Sequence, residues 1–316
     1  MASDVKLRDI SYYRTGGTCA ALHTPASIEE LAAVMRGVAE RGRPFFLLGG
    51  GTNSLVLDEP YPGEVVTFGK LSRLEARGTT IVAGAGIENT AVAKLALQQG
   101  LAGAAWMNRL PGQLGGTVRM NARCYGGEIS QIARKVTTVT RRGEVVVYED
   151  PAMFRGYKDT IFMDNGEVVA EVELALRPGD PVAVEAEMRF CEDDRVKKGQ
   201  FDFPSCGCVF KNDYAVGVSS GILLDTAGAK KLKHGGAEVS PHHANFVYNK
   251  GASSRDILQV TFAMRQLVYD KFGVWMEYEM EVLGALAPDL QARFDEQRPA
   301  QWDEGALAPL RATMRR

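Results

Sequence analysis

Pro44-Phe45-Phe46-Leu47-Leu48-Gly49-Gly50-Gly51-Thr52-Asn53-Ser54 is an apolar strand that runs straight into three glycines and three side chains bearing hydroxyl or amide groups. A strand ending in glycines lets backbone N–H groups approach an anion closely, and Thr52, Asn53 and Ser54 add donors for phosphate oxygens. The spacing is neither the G-x-x-x-x-G-K-[ST] of a P-loop nor the G-x-G-x-x-G of a Rossmann unit, so the ordinary nucleotide-binding folds are disfavoured. A flexible turn is the competing reading. Upstream, Ser27-Ile28-Glu29-Glu30 has the form of a capping box, apolar residues follow at Ile28, Leu31, Val34, Met35 and Val38, and Gly42 stands just past the end. That pattern predicts a helix packed by one face.

Downstream, residues 79–84 read as a strand and Asn89 to Gln99 as a helix stopped by Gly100. Residues 136–140 and 145–148 flank Arg142-Gly143 like a hairpin, and Val168 to Leu174 alternates as a strand. The mixture is α+β. Arg177-Pro178-Gly179-Asp180-Pro181 is the strongest punctuation in the chain, and the domain boundary is placed there. Beyond it a helix is expected over residues 182–197. A second capping box (Ser253, Asp256) heads a helix ending at Phe272 with Gly273 as its cap, and a last strand is expected over 274–283. Residues 285–316 form a tail rich in Ala, Pro and charge, with no site-like cluster.

The chain has 316 residues, 45% hydrophobic and 24% charged, with a formal net charge of -2. This is the composition of an ordinary globular protein and excludes fibrous and disordered classes. Without a basic run, nucleic acid is not an expected partner. Charges occupy the first residues where a signal core would be apolar, and no apolar run approaches the roughly 18 residues that span a bilayer. A cytoplasmic protein with no membrane partner is expected. Five cysteines, irregularly spaced, argue for reduced thiols, and four histidines make a zinc site unattractive.

Four further constellations carry chemistry. Leu110-Pro111-Gly112-Gln113-Leu114-Gly115-Gly116-Thr117-Val118-Arg119-Met120-Asn121 is a second glycine loop; two such loops suggest a long diphosphate ligand, against the alternative of a tightly packed turn. Pro204-Ser205-Cys206-Gly207-Cys208-Val209-Phe210-Lys211-Asn212 gathers two thiols, a cation and an amide after a turn. Gly235 to Phe246 contains the pair His242-His243, which alone means little. In Glu277-Tyr278-Glu279 a period of two puts both carboxylates on one face; Met276, Met280 and Val282 beside them would raise a carboxyl pKa and suit a general acid. An exposed strand edge is the plain alternative.

The ordered set of motifs resembles the UDP-N-acetylenolpyruvoylglucosamine reductases, the MurB flavoenzymes of peptidoglycan precursor synthesis. It runs through Thr15-Gly16-Gly17, Leu48 to Leu55, Pro111 to Ala122, Ser205 to Asn212, Gly235 to Ser240, His243 to Phe246 and Glu277-x-Glu279, so the likeness covers residues 15–284. It implies an FAD-binding domain of the vanillyl-alcohol-oxidase/PCMH type over residues 1–178, in two α+β lobes (1–72 and 73–178). A smaller α+β substrate-binding domain follows over 179–284, and then the 285–316 tail. Implied partners are FAD, NADPH as reductant and UDP-N-acetylglucosamine enolpyruvate, on a monomer. In the implied reaction NADPH reduces FAD, the flavin N5 hydride adds to the enolpyruvyl methylene, and the carbanion next to it is protonated.

The resemblance also distributes roles. Cofactor contacts fall on Gly49, Gly50, Gly51, Thr52, Asn53, Ser54, Leu55, Pro111, Gly112, Gly115, Gly116, Thr117, Asn121, Ala122 and Gly126. Substrate contacts fall on Tyr157, Lys158, Lys211, Asn212, Glu238 and His243. Cys208 stands where the family usually has a serine proton donor, Glu279 matches its carboxyl-side acid, and Lys158 stands where an arginine is usual. A thiol is far more acidic than a hydroxyl, so Cys208 suits its slot, whereas lysine keeps the charge of arginine but loses the bidentate fork. Arg123, in place of a usual glycine, is the candidate to restore a guanidinium. The alternatives are another flavin oxidoreductase of the same superfamily, acting on a small alcohol or sugar, and a non-catalytic flavin- or nucleotide-sugar-binding homologue.

Overall fold

The computed structural model describes residues 5–314. The chain forms two compact units, each from discontinuous segments: residues 19–50 and 62–195 in the first, residues 5–18, 51–61 and 196–314 in the second. The glycine run is therefore divided, Gly50 belonging to the first unit and Gly51 to the second. The punctuation at Arg177 to Pro181 is a connection within the first unit. Arg177–Pro178 pairs antiparallel with Leu101–Ala102, and the helix Pro181–Lys197 that follows buries Val184, Met188, Cys191 and Arg195. The chain changes unit after Arg195.

The first unit is built on a five-stranded antiparallel sheet in the order Val145–Tyr148, Ala133–Val139, Val168–Ala175, Thr80–Gly84, Leu74–Arg77. Val168, Val169, Ala170, Val172 and Leu174 are buried against Val92, Ala93 and Ala96 of helix Asn89–Gln98 and Leu114 and Val118 of helix Leu114–Arg119. A smaller sheet orders Cys19–His23, Tyr61–Thr67 and Phe45–Leu48, with the last two parallel and Phe45 opposite Glu64. Helix Ile28–Arg41 fits its sequence signals. Ser27 Oγ accepts from Glu30 N–H at 3.1 Å, Gly42 closes the helix at φ 61°, and Leu31, Ala32, Met35 and Val38 are buried.

The second unit packs helices Ser220–Ala227 and Ser254–Phe272 around an antiparallel sheet of Lys233–His234, Ala237–Val239 and Val247–Asn249. Both halves of the Ser253–Asp256 capping box are made. The expected strand over 274–283 shortens to Glu281–Leu283, parallel to Ser54–Val56, with one isolated bridge from Tyr278 to Phe210. The cause is local: the N–H groups of Glu279 and Met280 both donate to the Val209 carbonyl, at 2.8 and 3.2 Å, and this bulge breaks the ladder.

The tail is structured. Helices Pro288–Phe294 and Glu304–Met314 bury Leu290 and Leu307 in the second core. Buried Arg265 donates to the carbonyls of Arg293 and Phe294 and stacks on Trp275 and Tyr278. Gly273 lies where the tail returns. It sits at φ 66°, and a Cβ there would be 1.7 Å from the Gln301 carbonyl oxygen. Gly273→Ala is expected to cost about 2–4 kcal/mol, measured by denaturant unfolding. An unchanged unfolding midpoint would show that the tail does not press on this cap.

No helix among the described residues is long and apolar enough to cross a membrane.

Candidate functional site

In the first unit, strand Phe45–Leu48 delivers Gly49 and Gly50, and Gln113 lies under them. Gln113 Oε1 would be 3.5 Å from a Cβ on Gly49, and its Nε2 3.9 Å from one on Gly69. That Oε1 is buried and has no hydrogen-bond partner. The second loop is less open than its glycines suggest. Gly115 N–H donates to the Ala85 carbonyl at 2.9 Å, and a Cβ on Gly115 would be 2.8 Å from Ala85 Cβ, so this glycine serves close packing. Thr117 Oγ1 donates to Asn89 Oδ1 at 2.8 Å, whereas Gly116 and Gly126 are exposed with open space beside them.

Asn121 is buried and spends its side chain within the unit. Nδ2 donates to Glu128 Oε1 at 2.6 Å and to the Gly156 carbonyl at 2.7 Å, and Oδ1 accepts from Ser130 N–H. Gly156 leads into the turn Tyr157-Lys158 of the hairpin Phe154–Gly156/Asp159–Thr160. Thr160 Oγ1 donates to the Arg119 carbonyl at 2.5 Å. The second glycine loop thus anchors both sides of the turn that carries Lys158, whose φ of 55° is unusual for a side-chain-bearing residue. Arg123 is exposed, in a two-residue strand opposite Gly127–Glu128.

In the second unit, Asn53 Nδ2 donates to the Glu279 carbonyl at 2.9 Å, and Glu281 N–H donates to the Asn53 carbonyl at 3.0 Å. Leu55 is buried in the strand beside Glu281–Leu283. The back half of the glycine run is therefore fixed to the segment that carries Glu279. The same segment pairs with the stretch that follows Cys208: Lys211 N–H donates to the Glu277 carbonyl at 2.9 Å, and Glu279 N–H to that of Val209. Met276 and Met280 are buried while Glu279 is half-buried and Glu277 is 73% exposed. The methionines expected to flank the carboxylates thus face the core instead.

Cys206 is buried beside Tyr13, and burial pushes its thiol well above the ordinary range. Tyr13, which the sequence reading passed over, donates its hydroxyl to the Val247 carbonyl at 2.8 Å. The expected substrate residues of this unit are dispersed in their bonding. Lys211 Nζ pairs with Glu277 Oε1 at 2.6 Å, Asn212 Oδ1 accepts from Ser220 N–H at 2.9 Å, and Glu238 pairs with Lys250 at 2.5 Å. His243 stacks on Phe246 and accepts the Asn245 N–H at Nδ1, 3.3 Å away. Gln113 and Asn245 lie inside motifs that the sequence singles out but take no role from it, because residues of more evident chemistry stand beside them.

Residues 19–149 match the FAD binding domain model, and residues 199–283 match the model for the C-terminal domain of UDP-N-acetylenolpyruvoylglucosamine reductase. The UDP-N-acetylenolpyruvoylglucosamine reductase of Clostridium novyi is 33% identical over 283 residues, which are 89% of this chain and 92% of the relative. The chain belongs to the UDP-N-acetylenolpyruvoylglucosamine reductase family. The reductase of Carboxydothermus hydrogenoformans is 35% identical over 86% of this chain and 90% of its own. The crystal structure of the reductase from Thermus caldophilus superimposes with a TM-score of 0.76 at 31% identity, covering 90% of this chain and 99% of that one.

As a member of this reductase family the chain is an FAD-dependent oxidoreductase of two α+β domains, as the order of its motifs predicts. The first unit fits FAD on its own evidence. The buried Gln113 Oε1 beside Gly49, which has no partner within the protein, is a polar atom awaiting a donor.

Proposed function

We propose that the protein reduces the enolpyruvyl ether of UDP-N-acetylglucosamine to the lactyl ether in peptidoglycan precursor synthesis, with NADPH as the electron source. The supporting observation is the second unit's arrangement, in which the Asn53 side-chain amide is bonded to the Glu279 carbonyl, and the Glu279 N–H to the Val209 carbonyl next to Cys208. FAD bound by Gly49–Leu55 and the Pro111–Gly126 segment supplies the hydride chemistry. A hydride added to the methylene leaves negative charge on the α-carbon and its carboxylate. Cys208 Sγ holds the proton destined for the α-carbon, Glu279 acts at the carboxyl side, and Lys158 supplies a positive charge. Tyr157, Lys211, Asn212, Glu238 and His243 are proposed to hold the sugar nucleotide. An FAD-binding domain and a substrate domain, with the boundary expected at 178/179 moved to the change of unit after Arg195, a monomeric state and a cytoplasmic location belong to the same proposal.

The test is a two-step anaerobic titration. The purified protein should be yellow, bleach with NADPH, and regain colour when UDP-N-acetylglucosamine enolpyruvate is added. Bleaching without recovery would point to a different flavin oxidoreductase, and a colourless protein to a homologue that has lost its chemistry. Lys158→Ala should slow the second step by about 10²–10³-fold, the usual cost of removing one oxyanion-stabilising group, and leave bleaching unchanged. Arg123→Ala should slow the same step less. An Arg123→Ala rate equal to the parent's would remove Arg123 from the site.

A further inference from the structure

We propose that Asn245 is the positioning residue of the proton-donor segment, fixing the Cys208 thiol and registering it against Glu279 through the main chain of Val209 and Phe210. The proposal rests on the reading of Cys208 as proton donor.

Asn245 is buried, and it spends its side chain on main-chain groups just beyond Cys208. Its Oδ1 accepts the Phe210 N–H at 3.0 Å, its Nδ2 donates to the Phe210 carbonyl at 2.9 Å, and its own carbonyl accepts the Val209 N–H at 2.9 Å. A side-chain amide presents donor and acceptor side by side, as a peptide does. Asn245 therefore stands in for the strand partner that Phe210 would otherwise lack on that edge. On the opposite edge, the Val209 carbonyl takes the N–H of Glu279. Cys208 and Glu279 are thus registered through one short extended segment bridged on both sides.

The hold is asymmetric along the chain. Gly207, just before Cys208, has φ 71°, and nothing lies within 4 Å of where its Cβ would be. The backbone thus turns through a glycine just ahead of the thiol, where Cys208 also bridges to Phe246, and is held by Asn245 just behind it. The clamp itself is braced: Ser240 Oγ accepts the N–H groups of His242 and His243, and His243 Nδ1 accepts that of Asn245. Because the Asn245 side chain bonds only to main chain, it acts on the placement of the thiol and not on its chemistry.

Two variants separate this role from plain stability. Asn245→Ser loses the paired contact. Its bleaching by NADPH should stay within about twofold of the parent, while its reoxidation by UDP-N-acetylglucosamine enolpyruvate falls on the order of 100-fold, the scale of a misplacement near 1 Å. The lactyl carbon, formed as one epimer by the parent, should emerge as a mixture, since solvent then competes to deliver the proton. Asn245→Asp should recover towards the parent as pH falls, because only the protonated acid offers donor and acceptor together. Parent-like reoxidation with a single epimer in Asn245→Ser overturns the proposal. Amide exchange in the unsubstituted holoenzyme tests the clamp without a variant or a substrate: slow exchange of Val209 and Phe210 supports it, and rapid exchange of both overturns it. A parent that this substrate fails to reoxidise refutes the reading of Cys208, and with it the positioning role.

Discussion

Cys208→Ala is expected to be reduced by NADPH at the parent rate and then to react with UDP-N-acetylglucosamine enolpyruvate about 10²–10⁴-fold more slowly, the usual worth of a positioned general acid. The bonds that hold the segment come from the main chain of Val209, Phe210 and Lys211, so the substitution leaves them in place. Cys206 is no substitute. It is buried beside Tyr13, and burial raises its thiol so far that it holds its proton. Cys208→Ser should retain turnover, since a hydroxyl in the same place still carries a proton, although a free thiol, with pKa near 8.5, gives one up more readily. Rapid-mixing absorbance at the flavin band reads the two steps separately. Equal second-step rates in Cys208→Ala and the parent would strip the thiol of its assigned role.

The elements that the sequence revealed are those whose signals are local. Ser27 and Gly42 bracket one helix, and Ser253 and Gly273 another, because a cap is a bond between residues a few positions apart. Cys208 and Glu279 drew their proposed roles from the sequence, since a thiol and a carboxylate stand out in motifs of glycine and apolar residues. What stayed hidden depends on distance. The bond from Asn53 to Glu279 joins positions 226 apart, and the parallel pairing of Ser54–Val56 with Glu281–Leu283 has no turn to announce it. The division of the glycine run after Gly50 is equally silent, for Gly50 and Gly51 are the same residue with different neighbours. The tail helices were missed because Pro309 sits inside one of them, and their burial rests chiefly on Leu290 and Leu307. Asn245 eluded notice for a further reason: an amide that bonds only to main chain leaves no complementary side chain to be found.

Arg41→Met should destabilise the protein by about 3 kcal/mol at neutral pH, more than Glu64→Gln, although both remove the same ion pair. Glu64 is 1% exposed in strand Tyr61–Thr67, and Arg41 reaches it from the last turn of helix Ile28–Arg41 with two bonds, 2.6 Å from Nε and 2.8 Å from Nη2. His23 Nε2 lies 2.6 Å from the second carboxylate oxygen. Arg41, at 44% exposure, keeps its access to water if Glu64 goes, whereas Glu64 left behind by Arg41 is a buried charge with only His23 to answer it. The same asymmetry fixes the pH response. Hydrogen bonds from Arg41, with a smaller contribution from His23, hold the Glu64 carboxyl at about 2 against an ordinary value of 4.5. A folded pKa below the unfolded one means that the stabilisation is fully present above pH 4.5 and is lost as pH falls from there towards 2. Over that window the parent should lose about 2 kcal/mol more than Glu64→Gln does, after allowance for solvent around Arg41. In Arg41→Met the carboxyl is no longer held down, so acid should relieve the buried charge and its deficit should narrow. Urea unfolding of the three proteins between pH 7 and pH 3 measures these slopes, and equal deficits for the two variants at every pH would show that Glu64 is not the buried partner whose charge decides the cost.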